Sequence, residues 1–181
     1  MSTTAEHFIE QGLQAEAMGR WGDACELYRK AAIEAPGLAK AHLNLGAALE
    51  ALGDMDGAIV AYEAALAADA GNPYAGYNLG RMRYLRGALT PAEELLARAL
   101  AAKPGFTEAR VLLASVYRSQ GRLAEAAAAL EASLQERPDD ANARYWFGNV
   151  LARRTRASVN PGLAASARAR SSSAGVRAPR R

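Results

Sequence analysis

The chain has 181 residues, 50% of them hydrophobic and 7% aromatic, and 44 are alanine. Alanine has the best helix propensity and is a poor strand former, so this composition speaks against a β-sandwich or barrel and predicts closely approaching helices. The net charge of +3 selects no partner by itself, while the single cysteine, Cys25, excludes an intrachain disulfide and argues against a cysteine-rich secreted scaffold.

The first predicted elements, in Met1 to Arg20, carry Glu6, Glu10 and Glu16 among scattered apolar residues. That pattern lacks the apolar segment of a secretory signal, and no run of ~18 apolar residues follows that would span a membrane. A reducing, cytoplasmic location is the expectation. Further along, small residues return with a period of 34: Gly12, Gly46, Gly80 and Ala114, continued by Gly148. In the same register come Ala24, Ala58, Ala92 and Ala126, then Ala31, Ala65, Ala99 and Ser133, then Pro36, Ala70, Pro104 and Pro138. Each unit holds two apolar-periodic segments broken near Gly19, Gly53, Gly87 and Gly121, which predicts a helix, a tight turn and a second helix. The units are 5–38, 39–72, 73–106 and 107–140, followed by a capping helix or partial fifth unit over 141–154 and a disordered basic tail over 155–181.

Local chemistry supports these boundaries. Glycine at the four breaks supplies the left-handed backbone of a helix C-cap. Asn72 followed by Pro73 is a helix start, and Thr90, Pro91 and Glu93 predict another, with Thr90 as N-cap and Glu93 closing a capping box. Pro36, Pro104 and Pro138 end second helices.

With His42, Leu45, Gly46, Leu49, Ala58, Tyr62 and Ala65 in the second unit, the pattern resembles the tetratricopeptide repeat, over about five-sixths of the chain. Departures are Gln11 in place of leucine, Ala70 in place of proline and Ser133 in place of alanine. The resemblance implies an all-α fold, an α-solenoid of stacked helix-turn-helix repeats, in which neighbours bury one another's apolar stripes.

Nothing in the residues suggests an enzyme, a cofactor, a metal or a small-molecule substrate. His7 and His42 lack metal-ligand spacing, and His42 falls at a large-residue position of the repeat. Cys25 lies beside Ala24 with no group to stabilise a thiolate, so it is expected to pack.

The resemblance implies instead a protein or peptide partner, bound on the concave surface that the first helices line. Carried over residue by residue, the groove positions are Lys40, Leu43, Asn44, Ala47 and Glu50 in the second unit. The third unit supplies Tyr74, Tyr77, Asn78, Arg81 and Tyr84, and the fourth Glu108, Val111, Leu112, Ser115 and Arg118. The first supplies Glu6, Ile9, Leu13 and Glu16. At 100° per residue Tyr74, Tyr77, Arg81 and Tyr84 share one helix face, and Tyr and Arg are enriched in binding hot spots. Arg118 is expected to extend that cationic patch. Asn44 and Asn78 occupy the family's amide position, which in related arrays contacts ligand backbone. Ile9 and Leu13 replace the lysine and asparagine of the family's chaperone-carboxylate clamps, which disfavours that role.

Two other readings stand beside the scaffold. Related bacterial-type arrays are often fused to transferases of the O-GlcNAc type or to methyltransferases, which would make this a recognition module. The stretch from Arg153 to Arg181 carries eight arginines, no acid and no aromatic. It would hold nucleic acid through phosphate contacts only, the weakest of the three readings. Oligomeric state stays open, because the ends of an array can self-associate.

Overall fold

A computed structural model of the chain describes residues 3–159. Among the described residues there are nine helices and no strand. The first five are α1 (Thr4–Ala17), α2 (Trp21–Glu34), α3 (Ala39–Ala51), α4 (Met55–Ala68) and α5 (Pro73–Leu85). The rest are α6 (Leu89–Ala102), α7 (Thr107–Ser119), α8 (Leu123–Glu136) and α9 (Ala141–Val159). The chain divides into two units, Met1–Met82 and Arg83–Arg181, each described by itself. In the first, α1 packs on α2, α2 on α3 and α3 on α4; in the second, α6 packs on α7, α7 on α8 and α8 on α9.

The breaks at glycine form as expected. Gly19, Gly53, Gly87 and Gly121 all have φ between 70° and 84°, the left-handed region. The following N–H reaches back five residues each time, from Arg20 to Ala15, Asp54 to Leu49, Ala88 to Arg83 and Arg122 to Tyr117, at 2.8–2.9 Å. This closes the last carbonyls of the first helix and turns the chain into the second.

Helix starts follow the sequence only in part. Asn72 Oδ1 accepts from the N–H groups of Tyr74 and Ala75 at 3.2 and 3.0 Å, with Pro73 as the first residue of α5. The capping box expected at Thr90 and Glu93 does not form. Gly87 releases the chain so sharply that α6 starts at Leu89, with Ala88 as its cap and no side-chain bond. Thr90 and Pro91 then lie inside the first turn, where the missing proline N–H leaves no bond unmade. Glu93 is drawn away to Arg122 and Gln120, at 2.7 and 2.9 Å, and the Arg122 hydrogen bond holds its carboxyl below the ordinary value. The capping box that does form is at Thr3 and Glu6, opening α1.

The proline loops carry a device the sequence did not announce. The carbonyls of Pro36, Pro104 and Pro138 accept from His42, Arg110 and Arg144, in each case six residues on. His42 is half-buried and its Nε2 lies 2.8 Å from that carbonyl. In the remaining loop the corresponding position is Gly76, which has no side chain. There Asp69 accepts from Gly71 N and Asn72 Nδ2 at 3.1 and 3.2 Å, so the loop closes around Ala70 without a proline.

The core is built at the register positions. Ala24, Ala58, Ala92 and Ala126 are fully buried, as are Ala31, Ala65 and Ser133. The large residues beside them, Tyr28, Tyr62, Leu96 and Leu130, also recur every 34 residues and are 0–1% exposed. Cys25 is buried and its thiol is pushed up by that burial, which agrees with a packing role. In the second unit α8 and α9 meet through Leu130, Ala143 and Val150, with Trp146 and Phe147 against them.

Helix α9 continues past the expected boundary at residue 154 to Val159. The part of the expected tail from residue 160 to 181 lies outside the described residues.

Candidate functional site

In the first unit the candidate surface is carried by α3 and α5. Gly46 sets the position of α3: the Tyr62 ring of α4 lies against its backbone so closely that a Cβ there would collide with the ring. The Tyr62 hydroxyl then donates to Glu50 Oε2 at 3.2 Å. Arg81 of α5 donates to the same oxygen at 2.5 Å. Burial first, then the Glu50 charge, pushes the Tyr62 phenol above its ordinary range, so it stays a neutral donor. One carboxylate thereby ties three helices, and the face of α3 that bears Glu50 lies beside the face of α5 that bears Arg81.

On α3 the same stripe presents Lys40, exposed, and Leu43 and Asn44, both half-buried. On α5 it presents Tyr74, 47% exposed, with Tyr77, Asn78 and Arg81 half-buried. The Asn44 Nδ2 atom is buried and has no hydrogen-bond partner. A buried amide donor left unsatisfied costs about 1–3 kcal/mol, and because the residue as a whole is half-buried, an outward turn of its side chain would bring the amide to an acceptor on the surface.

The Tyr62–Glu50–Arg81 link was missed in the sequence, where Glu50 is a groove position and Tyr62 a register residue. A signal existed. Tyr28 and Glu16 repeat the pair in the unit before, 12 residues apart and 2.8 Å in space. Where leucine replaces tyrosine, at Leu96 and Leu130, the matching position changes from glutamate to Tyr84 and Arg118.

In the second unit the expected residues are arranged differently. The Tyr84 hydroxyl is 3.5 Å from Ser119 Oγ. The Arg118 guanidinium lies 4.4 Å from the Trp146 ring centroid, and its Nε is buried without a hydrogen-bond partner. Arg118 is thus held by a cation–π contact within its own unit. Val111 corrects the expectation of a groove contact. It is 8% exposed and packs in the core with Ala114, Ala126 and Leu130, because α8 covers that side of α7. Ile9 in the first unit is likewise buried, at 3% exposure, whereas Leu43 and Tyr77 at the same repeat position are half-buried. Among the described residues no group of three or more His, Cys, Asp or Glu could hold a metal ion, and no helix is long and apolar enough to cross a membrane.

Two family models described as Tetratricopeptide repeat match the sequence, one over residues 49–116 and 83–153 and the other over 9–73. No curated protein matches it. Solved structures do. MamA from Desulfovibrio magneticus RS-1 superposes with a TM-score of 0.76 at 18% identity, covering 96% of each chain. PilF from Pseudomonas aeruginosa gives 0.75 at 22% identity, covering 93% of this chain and 76% of that one. YrrB, described as a TPR protein with an unusual peptide-binding site, gives 0.71 at 24% identity, covering 82% of this chain and 76% of that one. At these identities the likeness shows the fold: all-α, an α-solenoid of stacked helical hairpins.

Proposed function

The chain belongs to the tetratricopeptide repeat family, and from that premise we propose that it is a non-enzymatic interaction scaffold that holds an extended peptide segment of a partner protein on the α3 and α5 faces of the first unit. The observation that carries this reading is the unsatisfied Asn44 Nδ2. With the side chain turned outward, a peptide carbonyl supplies the acceptor it lacks, and an extended backbone offers such carbonyls regularly. Asn78, one period on, would read the next.

Tyr74 and Tyr77 give the ligand aromatic surface at low entropic cost, and Lys40 adds a cation. Arg81 is a positioning residue, since its guanidinium is engaged by Glu50. The peptide-binding site in the description of YrrB supports this ligand class by analogy.

The test begins with a random-peptide display library selected on the immobilised full chain. The recovered peptide is then synthesised and titrated against wild type and Tyr77→Ala. A loss of about tenfold or more in affinity is expected for loss of an aromatic anchor. Equal affinity for both proteins removes this face as the site.

A further inference from the structure

In the first unit the carboxylate of Glu50 is engaged from within, by the Tyr62 hydroxyl and the Arg81 guanidinium. Two periods on, the same three register positions hold Arg118, Leu130 and Asn149. The second unit thus keeps a cation at this junction but has lost both the carboxylate and the hydroxyl donor. Arg118 is held instead against the Trp146 ring of α9, 4.4 Å from its centroid. Its Nε is buried without a partner, whereas its terminal nitrogens are not buried and, among the described residues, meet no acid. Arg110, Arg122, Arg137 and Arg144 of the same unit each have an acid partner. Asn149 follows Trp146 by one turn on the same face of α9, with its Oδ1 buried and unbonded and its Nδ2 not buried. The indole N–H of Trp146 is likewise neither buried nor bonded among the described residues. Three donor groups therefore share this junction with no carboxylate among their partners.

We propose that this junction binds the side-chain carboxylate of an aspartate or glutamate in a partner peptide, with Arg118 as its principal ligand. The proposal rests on the reading of the chain as a peptide-holding scaffold, but not on the α3 and α5 faces. Glu50 identifies the group that this register takes when the chain itself supplies it. A planar guanidinium fork matches a carboxylate through two parallel hydrogen bonds, which an ammonium in its place would not do. Stacking on Trp146 fixes the guanidinium before the ligand arrives, so less side-chain freedom is lost on binding. The Trp146 indole N–H and the Asn149 amide are further donors on the same helix face. The chain's own segment after α9 holds no aspartate or glutamate, so a partner supplies the acid.

The experiment is a proton–nitrogen NMR titration of the full chain that reads the indole N–H resonances of Trp21 and Trp146, told apart by Trp146→Phe. The probe is acetyl-Ala-Ala-Glu-Ala-Ala-amide, taken to about 5 mM so that millimolar binding is visible. A saturable shift of the Trp146 resonance is expected with Trp21 unmoved, and the same peptide with glutamine for glutamate binds about tenfold or more weakly. Arg118→Gln is expected to weaken the glutamate probe about tenfold or more, with the Trp21 resonance as the check that the fold persists. Asn149→Asp keeps Arg118 and Trp146 but offers the guanidinium a carboxylate from within, and is expected to weaken the probe to a similar degree. No Trp146 shift, equal binding of the two peptides, or undiminished binding by both variants overturns the proposal. So does an equal Trp146 shift from inorganic phosphate or from the glutamine peptide with a free C-terminus, since the ligand is then not a side-chain carboxylate. Tyr77→Ala, the test of the first unit, is expected to leave this titration unchanged; a loss there moves the acid to the α3 and α5 faces and overturns its assignment to Arg118.

Discussion

Ala31, Ala65, Ala99 and Ser133 occupy one register, and all are 0–2% exposed. The first three bury only a methyl group. Ser133 buries a hydroxyl whose oxygen has no hydrogen-bond partner. Replacing it restores the residue the register asks for and removes an unpaired dipole from an apolar site. Ser133→Ala is expected to raise unfolding stability by about 1 kcal/mol, read as a higher urea midpoint at unchanged slope. Asn44 has the same defect in the first unit, but its side chain is only half-buried and can turn outward to meet a ligand. The two sites look alike in sequence, each a small polar residue in a helical period. Only burial distinguishes a packing flaw from a recognition group. Cys25 was legible because its role is local, beside a register alanine, whereas the bond from His42 to the Pro36 carbonyl was not, since the repeat position asks only for a large residue.

At the scale of elements, glycine has two different meanings in this chain. Gly46 is required by the Tyr62 ring, whereas Gly148 sits at the same register with open space before it. Adding a methyl group at Gly46 forces that ring to move and outweighs the gain in helix propensity. Gly46→Ala is therefore expected to cost about 1–2 kcal/mol. Gly148→Ala is expected to gain about 0.5–1 kcal/mol. Thermal or urea unfolding of the two variants side by side checks this, and equal changes at both positions would undo the account of how the hairpins are spaced. Helix ends were legible at the glycine turns, where one residue supplies the conformation. They were not legible at Thr90, because Glu93 had a stronger partner in Arg122, 29 residues away. A capping motif predicts a start only when no distant charge competes for its acid.

For the whole molecule, the period of 34 determined the architecture because a pattern visible in one repeat is tested in the next. The candidate surface was less legible for the same reason. Whether a groove position faces solvent depends on the adjoining helix, and Val111 is buried although Tyr77 at the same repeat position is half-buried. Charge also divides unevenly. All 19 acidic residues lie before Arg153, against 14 of the 22 basic ones, so residues 1–152 carry −5 and the remaining eight arginines bring the total to +3. The mild basicity of the chain is thus no guide to the partner of its folded units, and the α3 and α5 faces must be judged by their own groups. The central claim is that Asn44 is kept unsatisfied because a peptide carbonyl completes it. The most direct measurement is a calorimetric titration of the selected peptide against Asn44→Ala. The account predicts affinity lower by about tenfold, the worth of one buried hydrogen bond, in a protein no less stable than wild type. Undiminished affinity in a folded Asn44→Ala protein would contradict it.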